Sequence, residues 1–240
     1  MALLDLSPVS SQPVWRVGFA PEPLAWAGWE YAKDGRFSGR WDDANGEFRT
    51  TYLGASLYAC LLEVLAFARK DTAVADELDD IEEDAEDAQE YPTAVPGHLD
   101  PAWLEPRMGA QAVLYGSYCN ITASGSIAAL RPVFISEAIK AGHNDFDAAL
   151  LKSASTGARK ITQAVSSYLY NEPGVDGIQF VSRHGDELML WCVYEQPHEG
   201  RVSKHLTSLN QFKLTETTPE LLQALELFGL KWARTTAGRV

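Results

Sequence analysis

Cysteine is scarce: Cys60, Cys119 and Cys192 are the only three in 240 residues, far apart and set among apolar neighbours. An odd, dispersed set of this kind reads as buried free thiols in a reducing compartment, not as a disulfide framework or a zinc site. No apolar run approaches the roughly 20 residues needed to cross a bilayer, so no membrane association is expected. The opening stretch "MALLDLSPVSSQPVW" lacks a basic region followed by an apolar one, and a cytoplasmic location is the expectation. There is no Gly-rich phosphate loop ending in Lys-Ser/Thr, no His pair at helical metal spacing and no G-x-S-x-G turn, which removes several common enzyme classes. His98, His143, His184, His198 and His205 are scattered and none pairs with a cysteine at ligand spacing, so metal chemistry is not expected.

Basic residues also fall short, with 20 Lys and Arg against 33 Asp and Glu and a net charge of −13. The deficit is local. The stretch "DTAVADELDDIEEDAEDAQE" holds eleven acidic residues and no Lys or Arg; without it, twenty-two acidic residues face twenty basic ones. No Lys/Arg cluster stands elsewhere, so direct nucleic-acid binding is not expected. Residues 71–91 read as a solvated acidic insertion, or more sharply as a segment that covers a cationic site or docks a basic partner.

What is present is an ordinary globular composition, 46% hydrophobic and 22% charged, long enough for one large domain with a real core. "VWRVGFA" alternates as a strand over residues 14–20, and "RTTYLG" is β-prone and leads through Gly54 into a helix capped by Ser56. "AQAVLYGSYCNI" resumes a strand, and "TGARKITQAVSSYLYN" repeats Ile161, Val165, Tyr168 and Leu169 at helical spacing. "GVDGIQFVSR" and "ELMLWCVYE" pair as antiparallel strands across the short "HGD" turn. After Pro197 a strand near residues 204–209 and a helix with Pro219 in its first turn are expected. The pattern predicts one α+β domain over residues 1–240, a mixed or antiparallel sheet core with flanking helices. Its core covers about 14–196 and its C-terminal extension 197–240.

The helix after Ser56 holds a puzzle. Between Arg49 and Arg69 the only charged residue is Glu63, inside a run that is otherwise almost all apolar. A buried carboxylate without a partner costs several kcal/mol or stays protonated, so something polar must face it. Two other residues on separate elements are candidates for a constellation: Arg40 in the Gly-flanked turn "SGRWDDANGEF" and Ser182 at the end of "DGIQFVSR". Taken singly each is weak, because a loop arginine is usually solvated and a serine at a strand end usually caps a turn.

Taken with their neighbours they carry a resemblance. "GRWDDANGEFRTTYLGASLYACLLE", "ARKITQ" and "DGIQFVSR", the last followed by "LWCVYE", are similar in order and spacing to the motifs of the RES domain family. That family comprises the toxins of RES–Xre toxin–antitoxin pairs, named for Arg, Glu and Ser. The likeness spans roughly residues 14–196. It implies an ADP-ribosyltransferase-like fold and cleavage of the nicotinamide–ribose bond of NAD, with phosphate or water as acceptor. A transferase acting on a protein, or a silent interaction module with the same fold, stays open beside it.

The resemblance implies three catalytic residues, Arg40, Glu63 and Ser182. Glu63 would hydrogen-bond the ribose and stabilise its developing charge, Arg40 would bind pyrophosphate or the incoming phosphate, and Ser182 would orient Glu63 or substrate. Tyr52, with Trp41 second to it, would stack on nicotinamide. Arg183 would be a further phosphate contact, and Thr162 and Gln163 would give support from the neighbouring helix. Arg16 on the first strand is an alternative to Arg40. No cofactor is expected, since NAD is the substrate and inorganic phosphate a candidate co-substrate. An Xre-family antitoxin is the expected protein partner, and a homodimer is compatible with the pattern.

Overall fold

The structure, a computed structural model, describes residues 3–69 and 97–233. Its frame is set by two fourteen-residue strands, β1 (Leu6–Phe19) and β4 (Arg107–Asn120). They pair antiparallel from Leu6 opposite Cys119 to Phe19 opposite Arg107. β2 (Thr50–Gly54) meets β1 at Trp15 and pairs along β6 (Gly185–Tyr194), which forms a hairpin with β5 (Gly177–Ser182). β5 then runs parallel to the end of β4, with Tyr118 opposite Gly177. The order β1-β2-β6-β5-β4 therefore closes on itself through the β1–β4 pairing, and β7 (Leu206–Lys213) lies against β4 outside that ring. A short parallel pair, β3 (His98–Leu99) with β8 (Lys231–Trp232), stands apart.

Helices flank the sheet. α1 (Leu57–Leu65) starts at Ser56, whose hydroxyl accepts the Ala59 N–H at 3.1 Å. It buries Leu57, Ala59, Cys60, Leu61, Leu62 and Leu65, so little of its circumference is left for water. Gly54 lets the helix begin hard against the strand, because a Cβ there would lie 2.8 Å from Cys60 Sγ and 3.1 Å from the Ser56 carbonyl. α2 (Ser124–Lys140), α3 (Ala148–Lys152) and α4 (Thr156–Tyr170) cover a second side, and α5 (Pro219–Phe228) follows the last long strand. Pro219 sits at the first helical position of α5 and Gly229 ends it in the left-handed conformation.

Three apolar clusters result. Trp41, Phe48, Ile121, Phe134 and Phe146 gather with α2, α3 and α4. Leu57, Leu61 and Leu65 of α1 gather with Leu214, Leu221, Leu225 and Leu230 of the C-terminal segment. Val14, Leu53, Ala112, Trp191 and Val193 come from β1, β2, β4 and β6.

The fold is the expected α+β arrangement with a mixed sheet, and several boundaries differ. β1 begins at Leu6, eight residues before the predicted start. Pro8 and Pro13 argue against a strand there, yet over this stretch β1 pairs with β4 on one side only, and a strand edge tolerates residues without an N–H. Tyr168 is off the buried stripe of α4 and 38% exposed, while Ile161, Val165 and Leu169 are buried. The acidic insertion lies outside the described residues. Among the described residues no helix is long and apolar enough to cross a membrane.

All three cysteines are buried free thiols. Burial pushes Cys60 up to about 12, Cys119 up to about 11 and Cys192 well above the usual thiol range. Because the thiolate is the reactive form, native protein at pH 8 is expected to resist iodoacetamide, and all three sites should label once urea unfolds it. Mass spectrometry of the alkylated chain reads this directly, and fast native labelling of any one would contradict the packing.

Candidate active site

Glu63 sits in the last turn of α1, half-buried on an otherwise apolar helix. Its partner is Ser182 at the end of β5, 1% exposed, whose hydroxyl donates to Glu63 Oε1 at 2.5 Å. Ser182 Oγ in turn accepts the His184 N–H at 2.9 Å, which closes the turn into β6. Ser182 is thus fixed from the backbone side and fixes the carboxylate on the other.

Arg40 arrives on a turn held from below. The Tyr52 hydroxyl accepts the Trp41 N–H at 2.8 Å and donates to Asp42 Oδ1 at 3.1 Å, while Asp42 Oδ2 accepts the Gly39 N–H at 2.6 Å. The fit leaves no room at Gly39, where a Cβ would lie 2.6 Å from Asp42 Oδ2 and 2.7 Å from the Tyr52 oxygen. From α4, Gln163 Nε2 donates to the Gly39 carbonyl at 3.0 Å and Ser166 Oγ to the Trp41 carbonyl at 2.6 Å. The guanidinium then reaches α3, donating to the carbonyls of Leu151 and Lys152. These two bonds use part of a five-donor fork, so it retains donors for an anion. Burial first, and the neighbouring Arg183 next, bring the Arg40 pKa down to about 10. At neutral pH it stays charged.

Between these elements lies a narrow cleft lined by Arg40, Trp41, Glu63, Ile121, Thr122, Leu151, Lys152, Phe180, Val181 and Arg183. Its lining carries three cations and one carboxylate, with the Lys152 ammonium also paired to Asp186. Phe180 and Trp41, with ring centroids 5.7 Å apart, supply aromatic walls. Phe180 is the more accessible of the two, since Trp41 is 1% exposed.

Of the residues singled out from sequence, Arg40, Trp41, Glu63 and Arg183 line the cleft together and Ser182 touches Glu63. Tyr52 and Gln163 are not among the described lining residues and hold the Arg40 turn from behind. Thr162 is buried within α4 with its hydroxyl on the Arg159 carbonyl at 2.9 Å. Arg16 is elsewhere, donating to the Ala25 carbonyl at 3.0 Å and to Thr51 Oγ1 at 3.3 Å, so the structure gives Arg40 and not Arg16 the place beside Glu63. Lys152, Phe180 and His184 were missed. Phe180 was findable, because it precedes Ser182 by two residues on one strand and shares its face.

Tyr52→Phe tests the pinned turn. It strips the acceptor from a Trp41 N–H beneath the cleft, a loss worth about 1–3 kcal/mol for a buried donor. Urea denaturation should show a drop of that order, with weaker anion binding at Arg40; unchanged stability and binding would mean the hydroxyl is dispensable.

The class defined by these features is an α+β protein with an anion-seeking cleft built over a serine-held carboxylate. The chain belongs to the RES domain family, whose model matches residues 13–211. RES domains are toxin-like, NAD-related domains associated with Xre antitoxin partners. No curated protein matches the chain. The family match runs from the middle of β1 through most of β7 and stops short of α5.

Proposed function

We propose that the protein cleaves the nicotinamide–ribose bond of NAD and passes the ADP-ribosyl group to phosphate or water. The observation that carries this reading is the Glu63–Ser182 pair facing Arg40, Lys152 and Arg183 across one cleft. As the C–N bond breaks, its electron pair leaves with nicotinamide and positive charge develops on the ribose carbon. A fixed carboxylate beside that carbon stabilises the transition state more than the ground state. Ser182 keeps Glu63 aimed, so little reorganisation is needed as charge appears. Arg40, Arg183 and Lys152 suit the pyrophosphate, the first two as planar forks, and Phe180 offers a surface to the nicotinamide ring. A phosphate or water oxygen then bonds to the ribose carbon, and the proton released goes to solvent or remains on phosphate.

On this reading the fold is of the ADP-ribosyltransferase type, the whole chain acts as one domain in the cytoplasm, and an Xre-family protein restrains it. The decisive experiment incubates purified protein with NAD, with and without phosphate, beside Glu63→Gln, and resolves products by mass spectrometry. Nicotinamide with an ADP-ribose phosphate that requires added phosphate identifies a phosphorylase; free ADP-ribose identifies a hydrolase. Label transferred to a protein identifies a transferase, and intact NAD in every tube from folded protein overturns the proposal.

A further inference from the structure

The turn from β5 to β6 carries a second side chain whose chemistry bears on the cleft. His184 is half-buried there, with its ring edge-on to Phe228 of α5 at a centroid distance of 5.6 Å. Its Nε2 accepts a hydrogen bond from Arg183 Nε at 3.3 Å, and Arg183 lines the cleft. For Nε2 to accept, it must carry no proton, which is the neutral ring with its hydrogen on Nδ1.

The charged groups that face the ring are Glu63 from α1, Arg69 from the turn after it, Arg40 from the loop before β2, and Arg183 itself. α5 presents the uncharged Phe228, and the Arg69 guanidinium lies over the same phenyl ring at 4.4 Å. Burial and three cations outweigh one carboxylate and hold His184 below the ordinary histidine value of 6.5. The ring is therefore neutral at pH 7 and above, and gains its proton only in more acidic solution.

We propose that His184 is a positioning residue for Arg183: the neutral imidazole holds the guanidinium over the cleft, and protonation converts the acceptor into a donor and releases it. The inference rests on the reading of this cleft as a pyrophosphate site. Its consequence is that the cleft loses affinity for its anionic ligand as the pH falls. A histidine that merely added charge would do the opposite, since an anion would bind tighter to a more cationic cleft.

ADP-ribose is the probe, because its diphosphate diester does not titrate between pH 5.5 and 8. Calorimetry on the full chain should show binding about tenfold weaker at pH 5.5 than at pH 7.5, the loss of one charge-assisted contact. His184→Gln, whose amide oxygen still accepts from Arg183, should bind as wild type at pH 7.5 and hold that affinity to pH 5.5. His184→Phe and Arg183→Gln should be weak at both. Tighter binding of wild type at pH 5.5, or an undiminished pH effect in His184→Gln, overturns the proposal. A readout without ligand separates it from the reading of the site: nitrogen-15 NMR should show the proton on Nδ1 and a His184 pKa that rises in Arg183→Gln. If ADP-ribose binds at no pH, the pyrophosphate assignment fails, and an unmoved His184 titration in that variant then removes the link to Arg183 as well.

Discussion

Glu63→Gln is expected to lose nicotinamide release by a factor on the order of 10²–10³ while the protein stays folded. Glutamine keeps the size of the side chain and an oxygen to accept from Ser182, so the hydrogen bond at Oε1 has a replacement. What disappears is the negative charge. Removing one fixed group aimed at transition-state charge typically costs about 3–4 kcal/mol of barrier. The loss should fall on kcat with KM little changed, because the interaction is made chiefly in the transition state. Steady-state rates with a melting curve on the same sample separate this from unfolding. A variant with wild-type turnover would remove Glu63 from the chemistry. Glu63→Ala is the harsher change, since it also leaves the buried Ser182 hydroxyl without its acceptor.

The second large effect is far from the cleft. Cutting the chain after Lys213 removes Leu214, Leu221, Ala224, Leu225 and Leu230, all buried in the cluster that includes α1. At about 1.5–3 kcal/mol for each fully buried large side chain, the four leucines alone account for about 6–12 kcal/mol. A whole domain commonly has only about 5–15 kcal/mol of net stability. The truncated chain should be unfolded or aggregated, and any folded remainder should lack activity because α1 no longer holds Glu63 against Ser182. Leu221→Ala is the graded version, expected to lower stability by about 2–5 kcal/mol, since Leu221 is fully buried. Circular dichroism and urea titration measure both. A soluble, active chain ending at Lys213 would show that the C-terminal segment is an appendage.

Much of the cleft was legible because its residues break local rules. A lone acid in an apolar helix has to be answered, and the structure answers Glu63 with Ser182. Arg40 was visible through its turn of Gly, Asp and Asn, and the β5–β6 hairpin through the short connection between two β-prone runs, although the turn is Arg183–His184 and Gly185 and Asp186 of the expected "HGD" turn open β6. Lys152 was hidden because a lysine ending a five-residue helix is ordinary in sequence, and only the tertiary fold brings it beside Arg40. The burial of the C-terminal helix was hidden for a related reason. Its hydrophobic stripe announces that something covers it, but the partner, α1, lies about 160 positions earlier in the chain. The placing of Tyr52 turned on its hydroxyl, which the sequence leaves free and the structure commits to the Trp41 turn.

The dependence of α1 on α5 has a temporal side. Synthesis runs at about 5–20 residues per second, and domains fold largely as units while the chain emerges. Arg40 and Glu63 are made early, but Ser182 follows Glu63 by 119 positions, and the leucines that seat α1 come later still. β1 likewise waits for β4, on average some hundred residues downstream, before its edge is paired. A nascent chain therefore carries its acid and its arginine without a cleft to use them in until Ser182 and those leucines have been made, and a product aborted before them should be inert. Competence arrives only when the residues from Leu214 to Leu230 clear the ribosome.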